Sequence, residues 1–245
     1  MNIQPIKTSI FKEGDNLLSF ITCYIKDLKE ESILVVTSKI VALSENRVCM
    51  IENSKTREKI IKAESQFALR TKYTWLTIKD NTVMSSAGID ESNAQGKIIL
   101  LPKDSFLAAN LIRNYLKRRY KIKRLGVLIS DSRLLPLRAG ITGIALSYAG
   151  FKGIRDYRGT SDIFGRTLKL SRTDVADSLA TAAVLVMGEG KERQPLALIS
   201  GAPVEFKEKI DPSELAINIK EDLYQPIFEI IKKIKLKKTI DTKSK

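Results

Sequence analysis

The chain has 245 residues, with 42 Lys and Arg against 28 Asp and Glu, a formal net charge of +14, and no His. This length fits one large domain or two small ones, and the 43% hydrophobic and 29% charged content is typical of a globular protein. The absence of His excludes Ser-His-Asp and Cys-His catalysis and His-ligated zinc. Any metal site must therefore use mainly oxygen ligands, which favours Mg²⁺ or Mn²⁺.

Cysteine content, apolar runs and basic clusters set further bounds. Cys23 and Cys49 lie in apolar surroundings, which predicts two reduced core residues rather than a disulfide framework. The N-terminus lacks a signal-peptide pattern, and no stretch approaches about 18 uninterrupted apolar residues, so we expect a cytoplasmic protein without a membrane span. Basic residues cluster at 117–124 and 232–238 with almost no aromatic residues among them, which favours a solvated surface over a nucleic-acid interface.

The first half of the chain alternates helical and strand patterns. Apolar residues recur at helical spacing over Asp15–Lys29, and Ile33–Val36 is an apolar run typical of a strand buried on both faces. Thr37-Ser38-Lys39 then joins this strand to a predicted helix, and such a junction offers unpaired backbone N–H groups to phosphate. A charged amphipathic helix is predicted over Glu58–Leu69, before a hairpin that turns at Asp80-Asn81.

The second half continues the mixture. A helix capped by Asp104 is predicted up to about Tyr120, followed by a buried strand, Leu125–Ile129, that ends in Ser130-Asp131-Ser132. The remaining predicted segments are a Gly-, Arg- and Asp-rich stretch at 138–169, a helix at 173–187 that stops at Gly188-Glu189-Gly190, a strand at 196–199 and an amphipathic helix at 222–238. Hairpin and βα connections together predict an α+β fold of mixed sheets with flanking helices.

Three acidic loops follow these elements, at 90–93, 130–132 and 188–190. Carboxylates at the ends of buried strands can converge on one edge of a sheet and hold a divalent metal that bridges to phosphates. An Asp after a strand, taken alone, is most often a turn former or helix cap. The dense block Arg155-Asp156-Tyr157-Arg158 suits either the binding of phosphate or carboxylate, or an internal ion-pair network.

Six segments occur in an order and spacing that resemble the coenzyme F420-0:γ-glutamyl ligase family. They read TSKIVALSENRV, AGIDESN, LISDS, IRDYRGTSDIFGR, VADSLATAAVLVMGEG and PLALISG. The resemblance spans about residues 6–202. It implies an α+β fold, an intertwined homodimer, GTP or ATP as co-substrate and two divalent ions, Mg²⁺ or Mn²⁺.

The resemblance also implies roles for individual residues. The metal ligands would be Asp90, Asp131, Ser132 and Glu189. The nucleotide would be bound by Ser38, Lys39, Asn93, Met187, Gly188, Gly190 and Gln194, with a less certain contribution from 9–12. Catalysis is assigned to Asp131 together with Arg155 and Arg158, which with Lys39 would screen phosphate charge; Arg166 is an alternative. Leu43 departs from the family, where a second nucleotide-binding Lys is expected.

The acceptor is predicted from a second departure. Arg133–Arg138, in the pattern S-D-S-R-x-x-P-L-R, replaces the Phe-Gly-Arg-Pro of the deazaflavin ligases and resembles a bacterial subgroup proposed to act in folate metabolism. The main hypothesis is therefore a γ-glutamyl ligase that couples L-glutamate to a pterin-type acceptor such as dihydropteroate. The first alternative is a ligase that acts on a deazaflavin, F420-0. The second is an inactive ligase-fold protein with a binding or regulatory role.

The matched motifs also predict the domain organisation. Residues 1–205 are assigned to the catalytic domain and residues 206–245 to a basic helical tail.

Overall fold

A computed structural model describes residues 1–94 and 96–230. By their contacts, residues Met1–Glu214 form one unit and Leu215–Lys245 a second. The α-helices of the first unit are α1 (Leu17–Tyr24), α2 (Ser38–Ser44), α3 (Ser54–Ala63), α4 (Ser105–Tyr120) and α5 (Val175–Met187). Its strands are β1 (Asn2–Ile6), β2 (Ser32–Thr37), β3 (Val48–Met50), β4 (Phe67–Arg70), β5 (Trp75–Lys79), β6 (Thr82–Ser85), β7 (Lys97–Ile99), β8 (Leu125–Leu134), β9 (Ile141–Ala149), β10 (Ile154–Asp156), β11 (Arg172–Asp174) and β12 (Leu196–Ser200).

A mixed five-stranded sheet forms the centre of the first unit, in the order β1-β12-β2-β8-β9. Only β2 and β8 pair in parallel; the other neighbours are antiparallel. Leu34 and Val127 pack with residues of α1 and α4, whereas the alternate residues Ile33 and Leu128 are fully buried outside that cluster. Both faces of the sheet are therefore covered, and the α+β prediction of a mixed sheet with flanking helices is confirmed.

Smaller sheets complete the unit. A three-stranded antiparallel sheet runs β4-β5-β6, and β3 pairs with β7 and β10 with β11. Asp80 and Asn81 turn the β5–β6 hairpin with positive φ at both residues, as predicted. The helix α4 has the predicted Asp104 cap, whose carboxylate accepts from the N–H of Leu107 at 2.8 Å. None of the helices within residues 1–94 and 96–230 is long and apolar enough to cross a membrane.

Several predicted boundaries are wrong because tertiary contacts override local patterns. Asn16, rather than Asp15, caps α1, which ends at Tyr24. The helix α3 begins at Ser54, four residues before the predicted start, with Asn53 as its cap, and Phe67–Leu69 leave the predicted helix to pair with β5. The Gly-rich stretch at 138–169 contains β9, because that segment folds back on β8 as a long hairpin.

The cysteines and the tail also differ from expectation. Cys23 is exposed and Cys49 is half-buried, so neither is a core residue. The sequence assigns residues 206–214 to the tail, whereas the structure places them within the first unit: Glu208 pairs with Arg113 at 3.0 Å, and Glu214 accepts from the hydroxyl of Tyr148 at 2.5 Å. Residues 225–230 are helical. The rest of the predicted 222–238 helix and the lysine run at 232–238 lie outside the described residues.

Candidate functional site

A cavity of about 540 Å³ lies in the first unit, where six segments of the chain meet. They are the loop before α1, the start of α2, the loop that precedes β7, the end of β7 with the residues that follow it, the far part of β8 and the end of α5 with the loop that follows it. All eleven residues predicted to bind metal or nucleotide line this cavity, namely Ser38, Lys39, Asp90, Asn93, Asp131, Ser132, Met187, Gly188, Glu189, Gly190 and Gln194. The structure therefore gathers residues that are up to 156 positions apart in the sequence.

The parallel pair β2–β8 brings the first two segments together. Thr37 lies beside Ser130 in this pair, and α2 begins at the next residue, Ser38. The hydroxyl of Ser38 donates to Oδ1 of Asp131 at 3.0 Å. Unlike the sequence-based prediction, β8 does not end at Ile129 but continues to Leu134, because β9 pairs with it along this extension.

The loop before β7 supplies the second carboxylate. Gly88 precedes it with a φ of +72°, and a Cβ there would lie 2.7 Å from Leu101, so the chain requires Gly at this turn. The backbone of Asp90 exchanges two hydrogen bonds with Ile99 at 2.8 and 2.9 Å. Oδ2 of Asp90 lies 2.6 Å from Nζ of Lys39.

Lys39 ties this loop to α2. Its Nζ also donates to the backbone oxygen and the hydroxyl of Ser92, at 3.1 and 3.0 Å. The N–H of Ser92 in turn donates to Oδ1 of Asp90 at 2.7 Å. Sequence reasoning missed Ser92; its position inside the acidic loop was the available signal. The lysine ammonium therefore sits among oxygen atoms of one loop.

The loop after α5 forms the opposite side of the cavity. The helix ends at Met187, and Gly188 turns the chain with a φ of +80°. The N–H of Gly190 donates to the carboxylate of Glu192 at 2.7 Å, and Nδ2 of Asn93 reaches the carbonyl of Gly190 at 3.5 Å. With its amide oriented to satisfy both ends, Gln194 donates to the carbonyls of Val186 and Met187.

Electrostatic effects link the three carboxylates that are assigned to metal. The pKa of Asp131 is raised to about 6, chiefly by burial and also by the charges of Asp90 and Glu189, against the hydrogen bonds from Ser38 and from the backbone of Ser132. Burial likewise raises the pKa of Glu189, with Asp90 adding to the effect. For Asp90, burial acts to raise the pKa, but the hydrogen bonds and charge of Lys39 and the bonds from Ser92 outweigh it and lower the pKa. The cavity thus holds carboxylates that repel one another.

The donor types fit a hard divalent cation, since carboxylates and hydroxyls line one cavity and the buried Ser130 hydroxyl there has no partner among the described residues. They do not form a ready-made cage. Within residues 1–94 and 96–230, no group of three or more His, Cys, Asp or Glu side chains is arranged to hold a metal ion. The ammonium group of Lys39 already pairs with the carboxylate of Asp90, so a cation that binds this carboxylate must compete with the lysine.

The predicted arginines are not brought to the cavity. Arg155 lies in β10 and donates to the carbonyl of Pro203, and Arg158 pairs with Asp156 at 2.5 Å. Neither they nor Arg166 line the cavity. The Arg158–Asp156 pair agrees with the alternative interpretation of the block at 155–158, in which an internal ion-pair network holds a loop.

An apolar wall was not predicted. It is formed by side chains from the loop before α1, from α2 and from the segment after β7, namely Ile10, Phe11, Ile40, Leu43, Ile99, Leu100 and Leu101. Leu43, which stands where the family has a second lysine, belongs to this wall. The lining therefore combines charged groups with apolar side chains, and the latter suit a flat apolar ring.

Comparison with known proteins identifies the family. The model of the F420-0:γ-glutamyl ligase family matches residues 5–201. The chain is 35% identical over 216 residues to the coenzyme F420:L-glutamate ligase of Methanococcus maripaludis strain C6, covering 81% of this chain and 86% of that protein. It is 28% identical to the Archaeoglobus fulgidus enzyme of the same name, over 80% of this chain and 85% of that protein. It is 41% identical to the Methanocaldococcus jannaschii enzyme of that name, over 52% and 51%. The chain belongs to the F420-0:γ-glutamyl ligase family and is an acid–amino-acid ligase.

Proposed function

We propose that this chain couples L-glutamate to the free carboxylate of the deazaflavin F420-0, at the expense of a purine nucleoside triphosphate. The observation that carries the proposal is the cavity, whose lining combines the carboxylates assigned to metal, together with Lys39, and a set of apolar side chains. A ligase of this kind needs both parts, since it must hold a polyphosphate and an aromatic acceptor. The names of the relatives from three archaea support the deazaflavin as acceptor.

The chemistry explains why a nucleotide is needed. A carboxylate does not react with an amine at neutral pH, because its oxygen is a poor leaving group. Transfer of the terminal phosphoryl group to the acceptor carboxylate gives an acyl phosphate and releases the nucleoside diphosphate. The amine of glutamate then attacks the acyl carbon, phosphate leaves with the C–O bonding electrons, and the amine loses a proton. Catalysis of these steps is mainly positioning and charge neutralisation.

The residues of the cavity are assigned roles on this basis. Asp90, Asp131, Ser132 and Glu189 would hold two divalent cations, Mg²⁺ or Mn²⁺. When bound, such cations neutralise phosphate charge and orient the reacting oxygens. Lys39 would release Asp90 and contact phosphate.

The remaining cavity residues would surround the nucleotide. Ser38 and Asn93 approach it from one side, and Met187, Gly188, Gly190 and Gln194 from the loop after α5. The raised pKa values of Asp131 and Glu189 support a cationic ligand, because a nearby cation relieves the repulsion between their charges.

The folate-type acceptor predicted from the sequence has no support from the comparisons. The segment that suggested it, Arg133–Arg138, does not line the cavity. The guanidinium group of Arg133 pairs with the carboxylate of Asp177 at 3.1 Å and is not presented to the carboxylate of an acceptor substrate. Leu134 and Leu137 are exposed on the β8–β9 hairpin. The inactive binding module also loses support, because a binding surface has no need to bury mutually repelling carboxylates.

Assembly as a homodimer is part of the proposal, as the resemblance implies. Ile163 and Phe164 support it, since these adjacent side chains are 92% and 88% exposed at the tip of the loop between β10 and β11. Burying them against a second copy would remove apolar surface from water. Sedimentation equilibrium of the wild type and of Phe164→Ser tests this assembly, and a wild-type monomer would contradict it.

A direct assay tests the activity. Purified protein is incubated with F420-0, L-glutamate, GTP or ATP, and Mg²⁺ or Mn²⁺, and the product is read by mass spectrometry, with dihydropteroate as the parallel acceptor. We expect glutamylation of F420-0 that requires both nucleotide and metal. Glutamylation of dihydropteroate alone would restore the folate hypothesis, and nucleotide binding without turnover of either acceptor would favour the inactive alternative.

A further inference from the structure

One buried hydroxyl group in the cavity has no hydrogen-bond partner. Ser130 is 1% exposed, and its Oγ is the only hydroxyl oxygen among the buried, unpartnered side-chain atoms of the described ranges. The other two such atoms are the Nε atoms of Arg57 and Arg133, whose guanidinium groups form ion pairs with Glu91 and Asp177. Burying a hydroxyl without a partner costs free energy, because the lost water contacts are not replaced.

Other buried hydroxyl groups of this unit serve the fold visibly. The hydroxyl of Ser147, in β9, donates to the carbonyl of Ser105 at 2.7 Å. The hydroxyl of Thr77, in β5, donates to the carbonyl of Met84 at 2.7 Å. An alanine at position 130 would fill the same place without an unpaired polar atom. The bonds within the described protein therefore give no reason for a hydroxyl at Ser130, which leaves a water molecule or a ligand of the cavity as its partner.

The position of Ser130 supports that reading. It lies beside Thr37 in the parallel pair β2–β8, at the point where the pairing of β8 with β9 shifts register. Ser130 and Asp131 both line the cavity, although successive residues of a regular strand point to opposite faces. The hydroxyl that donates to Asp131 is that of Ser38, and no acceptor among the described residues takes the proton of the Ser130 hydroxyl.

We propose that the hydroxyl of Ser130 donates a hydrogen bond to a phosphate oxygen of the nucleotide and so fixes the phosphoryl group beside Asp131. This inference rests on the proposed function. Carboxylates dominate this side of the cavity and repel phosphate, so each donor near them, such as Lys39, counts for positioning. A serine hydroxyl supplies a donor without adding a charge, which leaves the divalent cations as the counter-charge of the site.

The test compares two buried serines of the same sheet. Ser130→Ala and Ser130→Cys remove the proposed donor, and Ser147→Ala removes a satisfied hydroxyl that does not line the cavity. The binding of β,γ-imido analogues of GTP and ATP with Mg²⁺ is measured by calorimetry, and the melting temperature is measured without ligand. We expect both Ser130 variants to bind the analogue about tenfold more weakly, with a melting temperature equal to or above that of the wild type. Ser147→Ala should melt a few degrees lower and bind the analogue within about twofold of the wild type.

The other outcomes separate this inference from the proposed function. Unchanged analogue binding by both Ser130 variants would mean that a water molecule satisfies the hydroxyl, and would overturn the inference alone. A melting temperature lowered as in Ser147→Ala would make Ser130 a structural residue and overturn it as well. A wild type that binds neither analogue would refute the proposed function, and this inference with it.

Discussion

The contact between Lys39 and Asp90 makes a prediction about metal binding. Nζ of Lys39 lies 2.6 Å from the carboxylate that is assigned to a divalent cation. An ammonium group and a metal ion cannot both neutralise the same oxygen, so binding of the cation must displace the lysine. Replacing Lys39 by methionine removes the competing charge and keeps a side chain of similar length. We therefore expect Lys39→Met to bind Mn²⁺ more tightly than the wild type when nucleotide is absent.

The exposure of the pair sets the size of this effect. The side chains of Lys39 and Asp90 are 28% and 38% exposed, so solvent screens part of their attraction. Ion pairs at exposed sites contribute up to about 1 kcal/mol, and this half-buried one, with further bonds to Ser92, is worth about 1–2 kcal/mol. Displacing it weakens the wild-type metal affinity by roughly 5- to 30-fold relative to Lys39→Met. The ligase activity of Lys39→Met should nevertheless be about 10²- to 10³-fold lower than that of the wild type, because the phosphate loses a charged donor.

Lys191 provides the matched control. It also lines the cavity, on the loop after α5, and it forms no ion pair among the residues that the structure describes. Lys191→Met removes one positive charge without freeing Asp90, so its Mn²⁺ affinity should change less than twofold. Mn²⁺ binding is measured by electron paramagnetic resonance, and activity by glutamate incorporation. Equal Mn²⁺ affinity in the wild type and Lys39→Met would refute the competition and remove Asp90 from the metal site.

Three further predictions concern the rest of the first unit. Asp131→Ala should abolish ligation in a protein whose circular dichroism spectrum is unchanged, and normal turnover would contradict its assignment. Glu208→Ala leaves the buried guanidinium of Arg113 without its carboxylate, so calorimetry should show a loss of about 2 kcal/mol, or roughly 4–8 °C, whereas Glu205→Ala, at an exposed pair, should shift the melting temperature by no more than about 2 °C. Burial raises the pKa of Asp174 to about 6, so the folded state binds this proton more tightly than the unfolded state, and stability should fall as the pH rises from about 4 to 6. Asp174→Asn, which keeps the helix cap, should make the fall of the melting temperature over that range less steep, with Asp131 and Glu189 supplying the remainder, and an unchanged slope would count against the assignment.

The part of the site that the sequence predicts well is the part that depends on local patterns. Ile33–Val36 and Leu125–Ile129 are apolar runs, and such runs form central strands because both faces of the sheet are covered. Polar residues at the end of one strand then lie beside those at the end of its parallel neighbour. This is why the pairing of Ser38 with Asp131 follows from two segments that are 93 residues apart.

The part that could not be predicted depends on contacts between distant segments. Phe67–Leu69 continue the helical pattern of the residues before them, but the neighbouring hairpin offers a hydrogen-bonded edge, and pairing with β5 outweighs helix propensity. Arg155 and Arg158 have the composition of a phosphate site, yet composition does not reveal that a carbonyl and a carboxylate near them satisfy both guanidinium groups. A motif indicates which functional groups are present, and the fold determines which of those groups lie in the site.

Several unfavourable features of the first unit lie in its cavity, and this concentration is itself an argument for function. Asp131 and Glu189 have raised pKa values there, and Ser130, whose hydroxyl is the one buried hydroxyl without a partner in the described chain, lies beside them. Outside the cavity, Asp174 also has a raised pKa and the Nε atoms of Arg57 and Arg133 lack partners, but Asp174 caps α5 and both guanidinium groups form ion pairs. The features inside the cavity have a common remedy in the proposed complex, since a cation would neutralise the carboxylates and a phosphate oxygen would accept from the hydroxyl. Their grouping at one place is therefore the pattern that a binding site produces, and it supports the metal and nucleotide complex proposed above.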